Sequence, residues 1–193
     1  MSIDRLLRDT EATPLPMDVL SKMCGKGPKC RAIMYDKVET AKSLDEIVNQ
    51  THPYAILLIM DKRDQDSNVG HYCALWLQGQ KVMWMDPYGN SVDVLMKLTQ
   101  NKNNLMKLVR SSGKTISMNK KRLQRMNDKI ATCARHCSVR LRMAEWSHDR
   151  YYKFLQSKKM NPDEVVTMLT MVYKAGKEGH HDALEGGDID KHY

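Results

Sequence analysis

Apolar positions along this chain follow two periods, and the changes of period mark out its elements. Tyr54–Met60, YAILLIM, is an unbroken apolar run that predicts a central strand buried on both faces. Two further β-rich runs, Tyr72–Leu77 and Lys81–Met85, flank Gln78-Gly79 and predict a hairpin. With those two residues as the loop, Leu77 lies opposite Gln80, Leu75 opposite Val82, Cys73 opposite Trp84 and His71 opposite Asp86. Ala74 and Met83 line the other face. Both faces are largely apolar, which places the hairpin inside the domain with its polar pair at the open end.

Around these strands the pattern is mostly helical. Residues 1–50 read as helices with breaks: an amphipathic start over Ile3–Arg8, an interruption at Pro14 and Pro16, and a second helix over Met17–Met23 that Gly25, Gly27 and Pro28 end. Ser43 followed by Glu46 predicts a capped helix through Val48. Asp61–Gly70 is a polar loop delivering His71 to the rim, and Pro87-Tyr88-Gly89-Asn90 is a turn. Val92–Leu98 and Asn104–Val109 read as helices and Thr115–Met118 as a strand returning to the sheet. Ser147–Gln156 is a further helix. Asn161-Pro162-Asp163-Glu164 is a strong helix start that leads into the stripe Val165, Met168, Leu169 and Val172. From Lys174 onward no apolar periodicity is left, which predicts a flexible C-terminal tail over residues 174–193 after a single domain over 1–173. The expected fold class is α+β, a central mixed β-sheet with a buried hairpin, packed by helices.

Candidate chemistry gathers at two places. Asp86 facing His71 is the arrangement in which a carboxylate fixes the tautomer and orientation of an imidazole. In Thr132–Cys137, TCARHC, the positions Cys133, Cys137, Leu141 and Ala144 recur at helical spacing, with Thr132 as N-cap. Cys133 then sits in the first turn, where the helix dipole and nearby Arg135 favour a thiolate nucleophile. Cys137, one turn further in, reads as a small core residue.

The order of His71, Asp86 within W-M-D-P-Y-G, and then T-C-x-R-H-C, resembles the adenovirus-type (adenain-like) cysteine proteases. That clan also holds the enzymes that process ubiquitin-like modifiers, and the pattern is most similar to maturation proteases of large DNA viruses, virophages and related transposons. The resemblance covers about Pro53 to Arg142. It implies a papain-like fold with the nucleophile at the N-terminus of a central helix, Cys133 as nucleophile, His71 as general base and Asp86 as its orienting residue. It also implies an oxyanion-hole amide: Asn127 has the expected spacing before Cys133 and is favoured, whereas Gln124 has the residue type. Tyr72 stands where a tryptophan commonly follows the histidine, and Ala134 where a glycine commonly follows the nucleophile. By the same resemblance the expected activity is cleavage of capsid or other virion precursors at Gly-Gly or Gly-X bonds. Leu184-Glu185-Gly186-Gly187 resembles such a site and implies self-cleavage after Gly187. The alternatives are a ubiquitin-like-modifier isopeptidase and an inactive basic nucleic-acid-binding protein.

Charge extends this picture. The 193 residues carry a formal net charge of +8. No acidic residue falls between Asp93 and Asp128, whereas Lys97, Lys102, Lys107, Arg110, Lys114, Lys120, Lys121, Arg122 and Arg125 all do. The last five of these form a candidate polyanion-binding set. By family resemblance DNA is the expected activating polyanion and no other cofactor is required; no base-reading motif is present. No run approaches the roughly 18 apolar residues of a membrane helix, and the opening MSIDRLLRDTEATPLP lacks a secretory apolar region. A monomer at the virion and the host-cell assembly site, cytoplasmic or nuclear, is expected. The 5 cysteines have no framework spacing and are expected to be reduced. Cys24, Cys30, Cys133, Cys137 and His136 do not match the paired spacing of structural zinc sites, so no metal is expected, and His180 and His181 fall in the tail.

Overall fold

Five strands form one mixed sheet in the order β1 (Cys30–Met34), β2 (Tyr54–Met60), β3 (Gly70–Gln78), β4 (Lys81–Met85) and β5 (Thr115–Met118). β1 runs parallel to β2 and β4 parallel to β5, whereas β2–β3 and β3–β4 are antiparallel. This computed structural model describes residues 2–63, 70–127 and 129–185, with side chains through Tyr173 in the last helix. The unbroken apolar run β2 lies inside the sheet, as its composition requires. β1 falls in a stretch whose pattern reads as helical; five residues are too few to show a period, and pairing with β2 makes them a strand.

Helices cover both faces. Cys73, Leu75, Val82 and Trp84 pack on one face beneath α3 (Tyr35–Thr40), α4 (Val92–Leu98) and α5 (Asn104–Ser111). Ala74, Trp76, Met83 and Met85 pack on the other against α2 (Met17–Met23), α6 (Cys133–Arg142), α7 (His148–Gln156) and α8 (Pro162–Glu185). α1 (Ile3–Glu11) lies along α8. The architecture is the expected α+β class with a buried hairpin.

The hairpin register differs from the expected one. Gln78 pairs with Lys81, so the loop is Gly79-Gln80, with Gly79 at φ 57° in the first loop position. The offset is two residues, which preserves every side-chain face but changes every partner: Leu75 opposes Trp84, and Leu77 opposes Val82. His71 and Asp86 are therefore not a ladder pair.

Two helix boundaries also differ. Ser43 and Glu46 form the expected capping box, yet they close only a 3-10 turn over Leu44–Glu46 rather than a helix through Val48. α8 continues past Lys174 to Glu185, where the pattern predicts no regular structure. Gly187 lies outside the described residues, as do the side chains of His180 and His181. Most of the loop expected to deliver His71, residues 64–69, lies outside them as well.

Candidate active site

The β3–β4 ladder ends at Ala74–Met85, and beyond it β3 pairs with β2 alone, His71 opposite Ile59. Asp86 leaves β4 into a turn closed by the Gly89 N–H donating to the Asp86 carbonyl at 2.8 Å. Gly89 holds φ 81°, and a Cβ there would stand 3.0 Å from the Lys121 carbonyl carbon, so both conformation and space call for glycine. The turn swings the Asp86 carboxylate back onto His71 along the shared sheet face.

Asp86 is fully buried, and its acceptors are filled. Oδ1 accepts from the Tyr88 N–H at 3.0 Å and lies 2.6 Å from His71 Nε2, while Oδ2 accepts from the Asn90 N–H at 2.9 Å. Asn119 clamps the Asp86 backbone, accepting its N–H at 2.9 Å and donating to its carbonyl at 2.7 Å. The Tyr88 ring stacks on the imidazole at 4.8 Å between centroids. With Nε2 committed to Asp86, the ring presents Nδ1 to the Cys133 thiol, which hydrogen-bonds the same imidazole.

Cys133 opens α6 and is the one cysteine of five that is not fully enclosed. Burial works against its thiolate, but hydrogen bonds from His71 and from the Tyr72 and Ala134 backbone N–H groups hold the thiol below its ordinary range. Burial likewise works against a charged His71, and the bonds to Asp86 and Cys133 outweigh it, raising the imidazole to about 9. A thiolate beside an imidazolium is the form these shifts favour. Burial pushes the Cys73 and Cys137 thiols well up, which leaves them inert.

Two expected contributors to the helix start act elsewhere. Thr132 takes φ −96° and ψ 0°, not the extended geometry of a cap, and its hydroxyl donates to Asp163 Oδ1. Arg135 points away from the thiol, donating to Thr170 Oγ1 at 2.9 Å and to the Thr10 carbonyl at 3.2 Å, at the C-terminal end of α1. The helix dipole thus acts on Cys133 without these side chains.

A cleft of about 630 Å³ opens over Cys133 and His71, walled by Leu15 and Tyr88. Gln124 and Asn127 both line it. Gln124 is 2% exposed; its Nε2 donates to the Ile130 carbonyl at 3.4 Å, a long bond, and its Oε1 has no partner among the described residues. Asn127 is exposed, and its Oδ1 accepts the Lys129 N–H at 2.9 Å.

His71, Cys73 and Asp86 each bring one ligand atom to within 4.8 Å of the others. His71 and Asp86 are already bonded to each other there, and Cys73 is held as a thiol. The cysteines considered for zinc do not gather into such a group among the described residues.

The basic set divides. Lys120, Lys121 and Arg122 are exposed, Lys121 lying 4.2 Å over the Tyr152 ring, and Lys114 is half-buried with Nζ 3.5 Å from Gln80 Oε1. Arg125 instead pairs inward, Nε to Asp163 Oδ2 at 3.0 Å and a terminal nitrogen to Glu11 Oε2 at 3.1 Å. Sequence reasoning missed both Asn119 and Asp163. Each acts across a long sequence separation with no local pattern; only the helix-start reading of Asn161–Glu164 touched one of them.

No family model and no curated protein matches this chain. Among solved structures it is similar to the ASFV pS273R protease, at 15% identity and TM-score 0.40, covering 73% of this chain and 57% of that one. It is also similar to the C-terminal Ulp1 protease domain in complex with Smt3, the yeast ortholog of SUMO, at 11% identity and TM-score 0.47, covering 86% and 79%. The central domain of the Lpg1148 protein from Legionella pneumophila is similar at 11% identity and TM-score 0.43, covering 86% and 98%. The chain thus spans little more than half the length of the first of these. At such identities and TM-scores none of the likenesses carries an argument, and the functional reading rests on side-chain geometry.

Proposed function

We propose that this protein is a cysteine peptidase with Cys133 as nucleophile, His71 as acid–base and Asp86 as the group that holds the ring. One observation carries the reading: a continuous chain from buried Asp86 through His71 to the only accessible thiol, with that thiol shifted down and the imidazole shifted up.

The thiolate attacks the substrate carbonyl carbon, forming a C–S bond and sending the carbonyl π pair to oxygen. The oxyanion accepts from the Cys133 backbone N–H and from a side-chain amide. Gln124 suits this role better than Asn127, because its amide is buried at the cleft and held by one long bond, easily exchanged for a substrate oxygen. As the carbonyl reforms, the C–N bond breaks and the His71 imidazolium protonates the departing amine. Water then attacks the thioester, giving its proton to His71, and the C–S bond breaks to release the acid and restore the thiolate.

The substrates we propose are protein precursors of a virion, cut at Gly-Gly or Gly-X bonds during capsid maturation. DNA on the Lys114–Arg122 surface is the proposed activator, and the enzyme works as a monomer in the virion or at its assembly site. This finer assignment rests on the motif resemblance. It is tested by incubating wild-type and Cys133→Ala protein with purified virion structural proteins and with a ubiquitin-like-modifier conjugate, then sequencing fragment N-termini. Wild-type cuts after glycine in the virion proteins are expected. Cleavage of the conjugate alone replaces the substrate assignment with an isopeptidase, and cleavage by Cys133→Ala overturns the mechanism.

A further inference from the structure

Asp163 is fully buried at the second position of α8, and four donors converge on it. Oδ2 accepts from the Arg125 backbone N–H at 3.0 Å and from Arg125 Nε at 3.0 Å; Oδ1 accepts from the Thr132 hydroxyl and lies 3.1 Å from His136 Nε2. Burial raises the cost of the carboxylate, but these bonds prevail and hold it at about 2. Three of the four donors belong to two residues adjoining the reaction centre in sequence: Arg125 follows Gln124, and Thr132 precedes Cys133.

From this convergence we infer that Asp163 is a positioning residue for the oxyanion site, acting through Arg125 and Thr132 without touching substrate. The inference rests on the peptidase reading above. Its first effect is on Gln124. The Gln124 N–H is held by the Pro87 carbonyl at 3.0 Å and the next N–H by Asp163, so the peptide unit carrying the amide is pinned on both sides. Its second effect is on α6. By accepting the Thr132 hydroxyl, Asp163 ties down the residue whose carbonyl shares a peptide unit with the Cys133 N–H, and so fixes where that amide stands at the start of α6. One carboxylate thereby sets the spacing between the two donors that an oxyanion would use. The Asp86–His71–Cys133 chain receives no bond from it.

That separation supplies the test. Asp163→Asn removes the charge and replaces one of the two acceptor oxygens by a donor. It is compared with wild type in cleavage of a fluorogenic Gly-Gly peptide amide, in affinity for a peptide aldehyde, which forms a tetrahedral adduct on the thiol, and in the pH profile of Cys133 alkylation by iodoacetamide. Loss of an oxyanion donor costs about 10²–10³ in kcat, and a displaced donor on the order of 10–10². The expected result is a fall of that order in kcat, a parallel fall in aldehyde affinity, KM within about twofold and an unchanged alkylation profile. If the variant fails to fold, Thr132→Val and Thr132→Ser take its place, the first expected to lose kcat and aldehyde affinity together and the second to retain both. Unchanged kcat and aldehyde affinity with a lowered Tm would mean a purely structural carboxylate and overturn the inference. So would a fall in alkylation matching that in kcat. A wild-type protein that neither cleaves the peptide nor binds the aldehyde overturns the peptidase reading itself.

Discussion

Asp86 meets His71 at 2.6 Å although no strand ladder pairs the two residues. The Asp86–Gly89 turn makes the contact, and the buried carboxylate is satisfied by two further backbone donors, from Tyr88 and Asn90. Asp86→Asn supplies one acceptor oxygen where two are used and presents a donor to the ring or to a backbone N–H. We expect kcat to fall by about 10² or more, within the range ascribed to acid–base positioning, and stability to fall by roughly 1–3 kcal/mol for donors left unpaired. Steady-state kinetics and urea denaturation measure the two separately; a variant with wild-type kcat removes Asp86 from the mechanism.

The pH dependence follows from the two shifts. Cys133 titrates below its ordinary value, so the ion pair forms as pH rises through that lowered midpoint. His71 titrates at about 9, so the imidazolium needed to protonate the leaving amine disappears as pH rises through it. Peptide cleavage should therefore follow a bell, with its alkaline limb near the His71 midpoint. Iodoacetamide alkylation needs only the thiolate and should show no alkaline fall. Asp86→Ala, which removes a bond that raises His71, should move the alkaline limb to lower pH. Cleavage that stays flat above the His71 midpoint would contradict the role given to the imidazole.

Why is the His71–Asp86 pair legible in the sequence when its pairing is not? Gln78-Gly79-Gln80 allows two loop phases, and glycine serves either; the structure takes the one with Gly79 first. Because side-chain direction repeats every two residues, both phases put His71 and Asp86 on one face, together with Cys73, Leu75 and Trp84. Their polarity at the end of an apolar hairpin is therefore readable, and their opposition is not. Thr132 and Arg135 escape a local reading because side-chain direction there is decided by Asp163 and Thr170, distant in sequence. α8 outruns its apolar stripe because extending a formed helix costs far less than nucleating one.

The basic stretch should separate by function. Replacing Lys120, Lys121 and Arg122 with glutamate removes exposed charge and should weaken DNA binding, lowering the slope of log K against log salt by about 0.9 for each phosphate no longer neutralised. Arg125→Ala should instead cost stability, roughly 1–3 kcal/mol once its half-exposed side chain is discounted, because Glu11 and Asp163 lose their cation. Fluorescence anisotropy with a DNA duplex at several salt concentrations, beside thermal denaturation, makes the comparison. Loss of DNA binding in Arg125→Ala with stability intact would reverse the division.

A peptidase that cuts after Gly-Gly must receive its substrate extended, since a helix hides the scissile carbonyl in its own hydrogen bonds. Glu185 is the last described residue of α8, and Gly186-Gly187 follows it in sequence; glycine is a poor helix former, costing about 1 kcal/mol against alanine. If the proposed peptidase cuts after Gly187, we expect the active protein to lose Asp188–Tyr193 on incubation while Cys133→Ala keeps them. Intact-mass spectrometry reads the loss directly. Its rate should rise with protein concentration if one molecule trims another and stay constant if each trims itself. Unchanged mass in both proteins rejects the trimming, and loss in both assigns the cut to some other peptidase.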